Sequence, residues 1–91
     1  MNEQVNNLVA RLEGKVFTVS MKTKYGTVSI ELCTLLIDDC KLIFKRDDAE
    51  VKLNINRIKR ITDYDLIIRV ELEGIDELNI YYIKDKSVKE D

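Results

Sequence analysis

From Asn2 to Glu13 the apolar residues Val5, Leu8, Val9 and Leu12 recur at i, i+3, i+4 and i+7, the stripe of an amphipathic helix. Asn2 suits the N-cap, Glu3 the positive end of the helix dipole, and Gly14 the left-handed residue that ends such a helix. A stripe this short needs a surface to dock on, either an open end or face of a sheet or another chain.

After Gly14 the period shortens to two. Lys15 to Lys22 reads as a strand with Phe17, Val19 and Met21 inward, and Thr23-Lys24-Tyr25-Gly26 as the turn that follows. Val28, Ile30 and Leu32 continue the alternation, then the apolar set changes parity to Leu35 and Ile37. A regular strand cannot change parity, so a bulge or sharp bend is expected near Cys33-Thr34. Polar corners at Asp38-Asp39 and Arg46-Asp47-Asp48 separate Cys40, Leu42 and Phe44 from the runs on either side, the second ending in Val51, Leu53 and Ile55. Two hairpins follow from this. Ile58 and Ile61, three residues apart, suit a single tight helical turn that closes the meander. Leu66, Ile68, Val70 and Leu72 give a fifth strand, and a turn at Gly74 leads into a sixth from Leu78 to Ile83.

The expected fold is therefore mainly β: a short N-terminal helix followed by a five- to six-stranded, strongly bent antiparallel sheet or small barrel. Residues 1–83 make a single small β-rich domain, and residues 84–91, nearly devoid of apolar side chains, a frayed charged tail.

Composition narrows the function more than the fold. The chain has 91 residues, 45% of them hydrophobic and 35% charged, which suits a folded domain and not a disordered one. No apolar run approaches the ~20 residues of a membrane-spanning helix, and Met1-Asn2-Glu3-Gln4 lacks the layout of a signal peptide, so a cytoplasmic location is expected. With no histidine, the commonest general base and the commonest metal ligand are both missing. The two cysteines, Cys33 and Cys40, lack a zinc-site spacing; they read as small buried hydrophobes, or as a disulfide if the chain folds back at Asp38-Asp39. The paired carboxylates Asp38-Asp39 and Asp47-Asp48 sit where hairpins turn. No catalytic, cofactor or metal site is expected, and the chain reads as non-catalytic.

Net charge is −2, with a basic excess up to Arg60 and an acidic excess beyond it. Arg57, Lys59 and Arg60 form the densest basic cluster, with Lys45 and Arg46 at the preceding hairpin tip and Tyr64 just downstream. Such a turn is either a phosphate- or acid-binding surface or a solvated face. The last strand is the other candidate. Leu78, Ile80 and Tyr82 alternate with Tyr81 and Ile83, so both faces carry apolar surface. An edge strand of this kind is open to pairing with another protein or with a second copy, as a homodimer or higher oligomer, unless the helix covers it.

Gly26-Thr27-Val28-Ser29-Ile30, as a bent strand, and the run from Val51 to Ile61, as strand, turn and strand, give a layout that resembles the Sm-like (Sm/SH3-like) small β-barrel. Within that group the layout resembles Rho-binding antitermination proteins. The resemblance implies a small barrel and binding of RNA or single-stranded nucleic acid. Glu31 and Cys33-Thr34-Leu35 stand where Sm proteins usually carry an Asp and an Asn for RNA contact, so no site residue is carried over.

The sequence thus points to a protein-binding module, a small regulator or inhibitor acting through surface contacts or β-edge pairing. One alternative is an Sm-like nucleic-acid binder using the basic turn. Another is a phage or mobile-element counter-defence inhibitor, suggested by Ile- and Lys-rich composition of the kind AT-rich bacterial and phage genomes encode.

Overall fold

The structure, a computed structural model, describes residues 2–86. Helix α1 (Glu3–Leu12) precedes seven strands: β1 (Lys15–Thr23), β2 (Gly26–Asp38), β3 (Lys41–Arg46), β4 (Ala49–Asn54), β5 (Ile58–Asp63), β6 (Ile67–Leu72) and β7 (Glu77–Asp85). A short 3₁₀ turn, η1 (Ile55–Arg57), joins β4 to β5. All strand pairs are antiparallel, in the order β4-β3-β2-β1-β7-β6-β5, and the sheet curls into a half-barrel.

The curl originates in β2. Up to Cys33 it pairs with β1, and from Thr34 onward with β3, so one strand serves both halves of the sheet. The bend expected near Cys33-Thr34 is present, and its bulge lies just upstream. The pairs Phe17↔Cys33 and Val19↔Ile30 leave one extra residue on β2, and Leu32 takes φ 55°. That bulge reverses the facing beyond Ile30: Ile30 and Cys33 are buried, whereas Leu32, expected inward, is 47% exposed; Val28, also expected inward, shares the face of Ile30 but is 58% exposed.

The structure contains one strand more than expected. Ile58 and Ile61 belong to β5, and the helical turn sits just before them, where the Asn54 side chain accepts the Asn56 N–H at 2.9 Å. Their three-residue spacing comes from a second bulge: Ile58 pairs with Leu72 and Arg60 with Glu71, leaving Lys59 extra. The last strand also departs from expectation. It is no edge: β7 is bonded to β1 on one side and β6 on the other, and Leu78 and Ile80 are fully buried, so the strand offers no free backbone for another chain. Lys84 and Asp85, assigned to a frayed tail, pair with Val16 and Lys15 inside this ladder. Residues 87–91 of that tail lie outside the described residues. The sheet's actual edges are β4 and β5.

Helix α1 forms where its stripe predicts. Asn2 Oδ1 caps it by accepting the Val5 N–H at 2.8 Å, and Gly14, at φ 73°, turns the chain into β1. Val5, Leu8 and Leu12 enter the core beside Phe17, Phe44, Leu42 and Leu53, so the stripe docks on this chain's own sheet. Burying each Leu contributes ~1.5–3 kcal/mol. Gln4 Oε1 also accepts the Ile61 N–H at 2.8 Å, which satisfies part of the β5 edge. The β2–β3 turn falls at Asp39-Cys40, which leaves Cys40 exposed, Cys33 buried and both thiols free. No described helix is long and apolar enough to cross a membrane.

Candidate functional site

Strand alternation sets Ile67 and Arg69 of β6, Asn79 and Tyr81 of β7, and Ser20 of β1 on the outer face of the sheet. Near one end of that face the alternation is interrupted twice. One bulge is at Leu32 on β2. The other is on β7, where Thr18↔Tyr81 is followed by Val16↔Lys84 and Tyr82 takes φ 55°. Both bulged strands flank β1 at Thr18, whose 6% exposure records the cover they give it.

The two bulges turn large apolar side chains to solvent. Tyr82 is 76% exposed, and its ring meets that of Tyr81 edge-on with centroids 4.9 Å apart. Tyr81 and Tyr82 therefore point outward together while Ile83 packs on the core, which corrects the strict alternation read from the sequence. Leu32 and Tyr82, with Thr18, Glu31 and Lys84, line one depression. Tyr82 and Tyr81, with Leu66 (80% exposed) and Ile67 (44%), line a second one of about 420 Å³. At its margin Arg11 donates to the Asp65 carbonyl at 2.7 Å and pairs with Asp63 at 3.4 Å.

The basic cluster is dispersed. Arg57 is paired with Asp76 at 2.8 Å, and Arg60 holds Glu71 in a fork at 2.8 and 3.3 Å. That hydrogen bond, with the charge behind it, raises the Arg60 guanidinium above its ordinary value and holds the Glu71 carboxyl below its own. The acidic excess of the last hairpin thus lies across the strand from the basic excess before it. Tyr64 is near the Arg69 guanidinium, 5.9 Å from ring centroid to charge. Lys45 and Arg46 are at the opposite end of the β3–β4 hairpin from η1, ~17 Å along the strand at ~3.4 Å per residue. Arg46 instead donates to the Glu31 carbonyl at 3.3 Å, beside the Leu32 bulge.

Tyr81 and Tyr82 were candidates in the sequence; Leu32 and Leu66 alternate there with the inward set yet are exposed, and Ile67, on the polar face of its strand, drew no notice. The available signal was the parity break itself, since a bulge that flips an apolar residue outward leaves the same trace as one that keeps it inside. Burial pushes the Cys33 thiol up to about 11, which keeps it protonated and unreactive at neutral pH. Among the described residues no group of three or more His, Cys, Asp or Glu side chains converges as a metal site. No family model matches the chain, and comparisons with characterised proteins and with solved structures give no match.

Proposed function

We propose that this chain is a non-catalytic protein-binding module, a small regulator or inhibitor, whose contact surface is the outer-face patch of Leu32, Tyr81, Tyr82, Leu66 and Ile67. The observation that carries the reading is the pair of bulges across Thr18. A side chain with a Cβ in the left-handed region costs roughly 1–2 kcal/mol. Here two such residues, Leu32 and Tyr82, spend that conformation on exposed apolar surface, which contributes little to folding. Aromatic and aliphatic side chains held by a rigid sheet are the usual anchors of protein contacts.

The small-barrel kinship belongs to the same proposal. It is supported by the bend of β2 between two partner strands and by the 3₁₀ turn ahead of β5. The neighbour of β1 here is β7, with β6 and β5 continuing beyond it. A nucleic-acid role through the basic turn ranks lower, because Arg57 and Arg60 already have carboxylate partners.

The test is affinity capture with the intact chain and with the double variant Leu32→Asn/Tyr82→Asn. A stoichiometric protein partner retained by the parent and lost with the variant supports the reading. Equal capture by both, or a partner lost only when Arg57 and Arg60 are replaced by Ala, overturns it.

A further inference from the structure

The two edges of the sheet are not equivalent. Along β5, Gln4 takes the Ile61 N–H and α1 packs alongside, whereas among the described residues β4 has no strand beyond β3. The ladder shows which β4 groups are free. The two-residue turn at Asp47-Asp48 makes Arg46↔Ala49 a hydrogen-bonded pair, and at the other end of the hairpin Ile55 N–H donates to the Cys40 carbonyl at 2.8 Å. Odd-numbered residues of β4 therefore bond to β3. The N–H and C=O groups of Glu50 and Lys52 point away from the sheet, on exposed residues.

We infer that β4 is a self-pairing edge, through which a second copy of this chain joins antiparallel about a two-fold axis at Val51. Of the registers centred on Glu50, Val51 or Lys52, in the middle of the strand, the charges select this one. A two-fold axis normal to the sheet keeps each face on its own side, so only registers centred on a residue are allowed. Centring on Glu50 sets that carboxylate against its own copy, and centring on Lys52 does the same with two ammonium groups. Centring on Val51 sets Glu50 opposite Lys52 of the second copy and Lys52 opposite its Glu50.

In that register the two charged pairs are also the two that exchange backbone hydrogen bonds, and the outward groups on both strands are in phase for it. Val51, half-buried in the single chain, meets its own copy at the close, non-hydrogen-bonded position. Within one chain Glu50 and Lys52 already lie 3.3 Å apart on the same face, and Lys45 is directly across β3 from Glu50. Each row across the joined sheet then runs Lys45, Glu50, Lys52 of the second copy, with signs alternating. One six-residue strand offers less surface than a permanent dimer uses, so the assembly is reversible.

This inference uses neither Leu32 nor Tyr82 and stands apart from the proposed function. Sedimentation velocity of the full chain across a concentration series tests it. The parent should pass from monomer to dimer. Glu50→Lys alone, and Lys52→Glu alone, should each weaken the dimer about tenfold by placing like charges opposite. The double swap Glu50→Lys/Lys52→Glu should restore it, and the two single variants mixed should associate with each other more tightly than either does alone. Leu32→Asn/Tyr82→Asn should leave dimerisation unchanged. A parent that stays monomeric at millimolar concentration, a dimer indifferent to both single reversals, or a double swap that fails to restore it overturns the inference, with unaltered melting of each variant excluding misfolding.

Discussion

Leu32 and Tyr82 are the residues where local backbone preference and observed conformation conflict. Each has a positive φ that Asn or Gly adopts readily and that Leu and Tyr adopt at a cost. Tyr82→Asn is therefore expected to raise the unfolding free energy by ~0.5–1 kcal/mol, read from urea denaturation, while removing the apolar contact surface. A loss of stability instead would show that the ring supports the fold. The two thiols should behave oppositely: in the native protein iodoacetamide should label Cys40, at its exposed turn, and spare Cys33. Cys33 also gives a pH dependence. Below the ordinary thiol value of 9.0 it is protonated in both states; above it the unfolded chain ionises first, the folded one only near 11. Stability should fall as pH rises across that window, and Cys33→Ala should flatten the decline.

At the scale of elements, α1 closes the half-barrel as well as covering an edge. Leu8, 3% exposed, fills space between the helix and the sheet, so Leu8→Ala should cost ~2–4 kcal/mol. Gln4→Ala, which strips the acceptor from the Ile61 N–H, should cost only ~1 kcal/mol because water can replace it. Thermal melting of the two variants checks both the size and the order of these effects. The helix was legible in the sequence because its stripe, cap and terminal glycine all point the same way. The strands were legible too, since alternation survives wherever the pairing is regular. The β2 bulge announced itself in the parity change, but those of β5 and β7 were hidden: Ile58 and Ile61 spaced by an extra Lys59 match the spacing of a helical turn. Hidden also was which strand lies beside which. Alternation in Leu78 to Ile83 reports a buried face, yet an edge strand and a central strand bury that face alike. Tyr81 and Tyr82 therefore reach solvent by way of a bulge in a central strand and not from the edge that the sequence suggested. The pairing of the basic turn was hidden for a related reason: composition shows Arg57 and Arg60 but not the Asp76 and Glu71 that fold back on them.

For the whole molecule, the governing relation is that β1, the first strand, lies between the second and the last. The 23 residues from β3 to β5 form no ladder with β1, whereas residues 77–85 do: Leu78 and Ile80 face Met21 and Val19 across it. A chain ended after Asp76 should lack a cooperative thermal transition and native circular dichroism, although it keeps α1 and six of the seven strands. Long-range pairing of this kind also slows folding relative to a helical domain of the same size.

The same clasp has a consequence during synthesis. As the nascent polypeptide leaves the ribosome, Phe17 and Val19 emerge some sixty residues before β7 and stay uncovered on one side until that strand arrives. Until residues 77–85 are made the chain is a natural client for holding chaperones, because β1 cannot complete its pairing before then.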